Sequence, residues 1–139
     1  GNWESSPRRI EVVISPSLLI TDDDRDFRET LRDVFQPLGF RTLLAADGEE
    51  ALEIVLKSEV HLVLMDMHMP RLTGLEAISQ IKRIRSRLPC ILISGQLDDE
   101  IRRRVEAFDI LAKPVSRAEV THSVTKALEV TYNWTVDRQ

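Results

Sequence analysis

Residues 62 to 70 read LVLMDMHMP. Leu62, Val63, Leu64 and Met65 form an apolar run without alternation, the pattern of a strand covered on both faces, as strands of parallel sheets are. An aspartate follows at once. A carboxylate in that place carries a desolvation cost unless it reaches water or a partner. Two explanations for Asp66 are therefore open: a strand that simply ends in solvent, or a chemical site.

Working outward, the segments SLLIT (17–21), RTLLA (41–45), HLVLM (61–65), CILIS (90–94) and ILA (110–112) read as five short strands, the last the weakest. Amphipathic stretches separate them. The first, from about Arg25, places Phe27, Leu31, Val34, Phe35 and Leu38 at offsets 0, 4, 7, 8 and 11, one apolar stripe at helical period. Asp24 suits its N-cap, Gly39 its stop, and Pro37 ends or bends its last turn. Asp47 and Gly48 turn the chain into a second helix, EEALEIVLKS, whose leading acids suit the positive end of the helix dipole. A third helix after Thr73 and Gly74 carries Ile78, Ile81, Ile84 and Leu88. A fourth starts near Asp98 with Ile101, Val105 and Phe108, and a fifth carries Val120, Val124, Ala127 and Leu128. Strands alternating with helices predict an α/β fold, a parallel sheet with helices on both faces.

The 139 residues, 42% hydrophobic and 30% charged, fit one soluble domain with a proper core. A net charge of -4 and pI near 5.4 give no general attraction for nucleic acid or an anionic membrane. The lone cysteine, Cys90, excludes an internal disulfide, suits a reducing compartment and reads as a buried hydrophobe. No apolar stretch approaches the roughly 18 residues of a membrane span, and GNWESSPRR lacks the apolar centre of a signal peptide, so a cytoplasmic location is expected. Residues 1 to 16 are expected to be a flexible extension, 17 to 130 the domain, and 131 to 139 a tail. IEVVIS at 10–15 leaves an edge strand or a packing segment as alternatives to the extension. Trp3 and Trp134 lie in the two ends, free to fold back on the core or not.

In open parallel sheets the side chains at the carboxyl ends of the strands line one crevice. Here the first strand exits into Asp22, Asp23 and Asp24, the third into Asp66, the fourth ends at Ser94, and the fifth exits into Lys113 and Pro114. In a flavodoxin-like sheet of order 2-1-3-4-5 these groups converge with Asp66 at the centre. Singly, each has an ordinary reading: a solvated acidic loop or cap, a strand-end hydroxyl, a surface cation. Together they ask for a site.

LLITDDD, LVLMDMHMP followed by LTGLEA, ILIS and LAKPV, in that order and spacing, resemble the receiver domain of two-component response regulators over about residues 17 to 130. The resemblance implies a doubly wound five-stranded sheet with five helices, and a phosphorelay in which Asp66 accepts a phosphoryl group from a sensor histidine kinase or a histidine phosphotransfer protein. It implies Mg²⁺ held by Asp22, Asp23, Asp66 and the backbone carbonyl of His68, with Asp23 the more direct ligand of the acidic pair. Ser94 and Lys113 match the hydroxyl and ammonium that bind phosphoryl oxygens, and the Lys113–Pro114 bond matches one that is usually cis. The face of the fourth helix, fifth strand and fifth helix is where the family binds partners, which makes a downstream protein or output domain expected there and leaves a homodimer open. Residue chemistry supports these roles: clustered carboxylates repel unless a cation intervenes, Mg²⁺ takes oxygen ligands including one or two carboxylates and phosphate, and an aspartate oxygen is a competent nucleophile toward phosphorus.

The pattern breaks in places. Where the family usually has Tyr or Phe, three residues before the lysine, stands Ile110, which puts the usual aromatic switch in doubt. The glycines that usually precede that strand are replaced by Glu106, Ala107, Phe108 and Asp109; Phe108 is expected in the core on the fourth helix, the alternative being a moving aromatic in place of the missing one. Gly95 leaves the site open to water, implying quick hydrolysis of the acyl phosphate. His68 is expected as an exposed ring, His61 and His122 as structural or solvated, and the RRR run at 102–104 as a solvated helical face or part of a partner surface. Two rivals remain. A phosphohydrolase would place a second Asp two residues after the nucleophile, where His68 stands, and a pseudo-receiver would bind partners without phosphorylation.

Overall fold

The computed structural model describes residues 15 to 96 and 98 to 135. Residues 1 to 14, with most of the IEVVIS segment, lie outside the described residues, as does the end of the expected tail. The elements alternate as β1 (Ser17–Thr21), α1 (Arg25–Phe35), β2 (Arg41–Ala45), α2 (Gly48–Lys57), β3 (Leu62–Asp66), α3 (Gly74–Ile84), β4 (Cys90–Ser94), α4 (Asp99–Arg104), β5 (Asp109–Ala112) and α5 (Arg117–Tyr132). All strand pairs are parallel, in the order β2-β1-β3-β4-β5. This is the doubly wound α/β sheet expected.

The side-chain period of two sorts each central strand into two cores. Leu19, Val63, Met65 and Leu92 meet Ala51, Val55, Ala77, Ile78 and Ile81 of α2 and α3. Leu18, Ile20, Leu62, Leu64, Ile91 and Ile93 face Leu31 and Phe35 of α1 and Val120, Val124, Ala127 and Leu128 of α5. Every residue of β1, β3 and β4 is buried, which is why their sequences show no alternation. Each buried aliphatic chain contributes about 1.5–3 kcal/mol of transfer free energy, so the centre of the molecule is the three strands that lead to Asp22, Asp66 and Ser94.

Helix ends follow the capping chemistry. The Asp24 carboxylate accepts from the backbone of Asp26 and Phe27, and Thr73–Glu76 and Ser116–Glu119 form reciprocal capping boxes. Pro37 converts the end of α1 into a 3₁₀ turn, Gln36–Leu38, closed by Gly39 at φ 92°. Two stripe assignments are corrected. Leu88 is buried, but in the connection after α3, which ends at Ile84. Phe108 is neither helical nor in the core. α4 stops at Arg104, and the Phe108 amide already donates to the Cys90 carbonyl at the sheet edge, leaving the side chain 37% exposed. Only four residues separate α4 from β5, too few to continue a helix at about 1.5 Å per residue and still return to the sheet.

Candidate functional site

Register assembles the crevice. Thr21 pairs with Met65, so the next residues, Asp22 and Asp66, leave their strands side by side; Asp66 is itself the last residue of β3 and pairs with Ile93 of β4. Ser94 pairs with Ala112, and the Lys113 amide donates to the Ser94 carbonyl at 2.9 Å, which carries the lysine to the same edge. Carboxylate oxygens of Asp22, Asp23 and Asp66 all lie within 4.8 Å of one another. Asp22 and Asp66 are 2% and 4% exposed, whereas Asp23 faces solvent.

Local structure holds each group in place. The Asp22 carboxylate accepts from the Asp24 amide at 2.8 Å, and the Arg28 guanidinium donates to the Asp22 carbonyl at 2.7 Å, bracing the loop from α1. Behind Asp66 the Met67 amide donates to Ile93, and the Gly74 amide to the Met67 carbonyl. A Cβ at Gly74 would collide with the Asp66 carbonyl and sit 2.8 Å from Met67 Cα, so the start of α3 closes on the strand end only with glycine there. The intervening loop is clasped to α2 by Arg71, whose guanidinium meets Glu49 and Asp47, each at 3.0 Å.

Lys113 Nζ stands 3.0 Å from Asp66 Oδ1 and 3.3 Å from Asp22 Oδ2, with the Phe27 ring centroid 4.7 Å away. The Lys113–Pro114 bond is cis. Burial raises the pKa of both Asp22 and Asp66; their mutual neighbours add to this, and Lys113 only partly offsets it. Burial pulls the Lys113 ammonium down, but Asp66 and Asp22 outweigh it and hold it above the ordinary lysine value. Asp66 Oδ1 is buried, and the Lys113 ammonium is its partner. Three carboxylates meeting within 4.8 Å, with one cation for the two buried ones, are the donor set and the charge deficit that a small divalent ion fits.

The structure thus brings Asp22, Asp23, Asp66 and Lys113 together. Ser94 lies at the same edge, fully buried, but its hydroxyl donates to the Gln96 carbonyl at 2.7 Å and accepts from the Gln96 amide, and so is committed within its own loop. The His68 side chain is exposed. Gly95 has open space where a Cβ would stand. Phe27, Arg28 and Arg71 belong to the surroundings of the site without having been singled out in the sequence. Phe27 was absorbed by the α1 stripe; the two arginines carry no local signal, since their partners are defined only by the fold.

The family model for the response regulator receiver domain matches residues 18–125. The chain belongs to that family. A curated relative, sporulation initiation phosphotransferase F of Bacillus subtilis, is 33% identical over 87% of this chain and all of its own length. Response regulator MprA of Mycolicibacterium vanbaalenii is 35% identical over 74% of this chain, which spans only 46% of that protein. A CheY-like receiver domain protein from Methanospirillum hungatei superposes with a TM-score of 0.83 at 20% identity, covering 86% of this chain and 98% of its own, a likeness of fold. The receiver domain of a sensor histidine kinase from Pseudomonas aeruginosa, with magnesium in its active-site cleft, superposes at 0.75 with 25% identity, covering 83% of this chain and 98% of its own. Receiver domains of this family bind Mg²⁺ at an acidic site and interact with histidine kinases or phosphotransfer partners, and this receiver domain presents such an Asp cluster. Among the described residues no helix is long and apolar enough to cross a membrane.

Proposed function

We propose that the chain is a phosphoacceptor switch, in which Asp66 receives a phosphoryl group from a phosphohistidine of a kinase or phosphotransfer protein. The observation that carries this reading is the meeting of three carboxylates within 4.8 Å, two of them buried, with the Lys113 ammonium 3.0 Å from Asp66. A carboxylate oxygen of Asp66 attacks phosphorus; the P–N bond to the donor imidazole breaks, and its electron pair stays on nitrogen. Asp22, Asp23, Asp66 and the carbonyl of His68 would hold Mg²⁺, which supplies charge neutralisation to the transferring group. Lys113 pairs with the phosphoryl oxygens. Ser94 joins it once its hydroxyl leaves Gln96, and that exchange shifts the β4–α4 loop.

The acyl phosphate adds roughly 1.5–2 negative charges where Lys113 and Ser94 lead directly into β5 and α4. The expected output is a rearranged α4–β5–α5 face that a downstream protein or a second copy reads. Ile110 is partly buried against the core on the α3 side, so the response runs through loop movement rather than an aromatic ring. The chain acts on itself rather than turning over a free substrate. Incubation with Mg²⁺ and phosphoramidate followed by intact-mass measurement tests the reading. One added phosphoryl on wild type and none on Asp66→Ala supports it; no addition to either leaves an interaction module that works without phosphorylation.

A further inference from the structure

Phe27 is the third residue of α1, and its backbone amide is gathered by the Asp24 cap. Its ring is partly buried against the cluster of Leu18, Ile20, Leu31 and Phe35, yet it also lies 4.7 Å from Lys113 Nζ. The ammonium is therefore bounded by Asp66 at 3.0 Å, Asp22 at 3.3 Å and an aromatic face. Its flexible four-carbon stem is about one third exposed and does little by itself to fix the head group.

The three partners differ in what phosphorylation does to them. Asp66 becomes an acyl phosphate, and Asp22 belongs to the acidic set offered to the metal, so both contacts change during the reaction that needs the lysine in place. The ring is chemically inert throughout. Its quadrupole favours a cation over the face, and partial exclusion of water strengthens that preference.

We propose that Phe27 is a positioning residue for Lys113, a cation–π platform that keeps the ammonium beside the reacting oxygens while its carboxylate contacts change. This rests on the phosphoacceptor reading above. Phe27→Leu preserves the apolar stripe of α1 and removes the quadrupole; Phe27→Tyr preserves the face. With Mg²⁺ and phosphoramidate, Phe27→Leu slows acyl-phosphate formation about three- to tenfold, and Phe27→Tyr restores it. In a Lys113→Ala background Phe27→Leu costs nothing more, because the ring then has no cation to hold. An equal slowing in both backgrounds, or none in either, overturns the proposal.

A second readout is independent of phosphorylation. In the metal-free protein the Lys113 Hε resonances should be shifted upfield by the ring and return toward ordinary lysine positions in Phe27→Leu, with the cooperative melt retained. Hε positions already ordinary in wild type, or unmoved by the substitution, refute the contact. A wild type that takes no phosphoryl at all sinks the phosphoacceptor reading, and the resonances then decide the ring contact alone.

Discussion

Both ends of β3 carry polar chemistry at least partly buried, and they could hardly be arranged more differently. At the amino end His61 is fully partnered. Its amide donates to the Ser17 carbonyl at 2.8 Å, its Nδ1 accepts from the Ser17 amide at 2.9 Å, its carbonyl accepts from the Tyr132 hydroxyl at 2.8 Å, and Nε2 faces Glu59 at 3.4 Å. Nδ1 as acceptor places the proton on Nε2, facing the glutamate. The rings of Tyr132 and Trp134 stack at 4.5 Å and both meet the imidazole edge-on. At the carboxyl end two buried aspartates share one ammonium, so negative charge is left in excess. Satisfied polar groups hold a structure together, whereas unsatisfied ones mark where a ligand or a reaction is to supply the missing partner.

The contrast is sharpest if the two ends fail separately. His61→Ala removes the acceptor of the Ser17 amide and the surface on which two aromatic rings rest, and should destabilise the protein by about 3 kcal/mol in urea melts while the phosphorylation rate with phosphoramidate stays at the wild-type value. Loss of both together would mean that the corner is wired to the site. Next in size is Gly74→Ala. It forces α3 off the strand end and should cost about 2 kcal/mol and slow phosphorylation as well, because the displaced backbone is that of Asp66 and Met67. Stability lost at an unchanged rate would show that the strand end tolerates the shift.

Tyr132→Phe removes one hydrogen bond at the satisfied end and should cost about 1 kcal/mol by the same melts, again without effect on the rate. Asp22→Asn is the opposite experiment. Burial raises the folded-state pKa of Asp22, so this carboxyl's contribution to stability is full below its ordinary value of 3.8 and is lost as pH rises through the raised value. Metal-free Asp22→Asn should therefore gain on wild type progressively across the window that opens near the ordinary value of 3.8 and closes above the raised one. A gap that shrinks across that window would reverse the sign. Gly95→Met, which fills open space above the site, should lengthen the acyl-phosphate lifetime severalfold in a decay followed by mass, and an unchanged lifetime would remove Gly95 from the account of hydrolysis.

The satisfied and unsatisfied ends also differ in how far the sequence reveals them. The crevice was legible because the strand runs announce their own ends: LVLM followed by Asp66, SLLIT followed by Asp22, and ILA followed by Lys113 each place a polar residue by counting alone. Parallel order then does the rest, since it brings every carboxyl end to one edge. The His61 corner was not legible as an assembly, because Tyr132 lies 71 residues away and Trp134 folds back only once α5 has ended at Asn133 with its amide bonded to Leu128. Phe27 satisfied the apolar stripe so well that its second contact was invisible. Ser94 was placed correctly at its strand end, but the commitment of its hydroxyl to Gln96 depends on loop dihedrals that residue types do not determine. Periodicity carried on past the true ends of α3 and α4 to Leu88 and Phe108, since an apolar residue at the right offset fits a helix whether or not the chain has room for one.

The central claim is that the crevice is left short of positive charge in order to receive it. Thermal melts of wild type and Asp66→Asn, each with EDTA and with Mg²⁺ at about a hundredfold excess over its dissociation constant for wild type, test this most directly. Without metal the Asn variant should melt at or above wild type. Added Mg²⁺ should stabilise wild type by about 2.7 kcal/mol and the variant far less. A wild-type transition that Mg²⁺ does not move, or one that it moves equally in both proteins, would contradict the account.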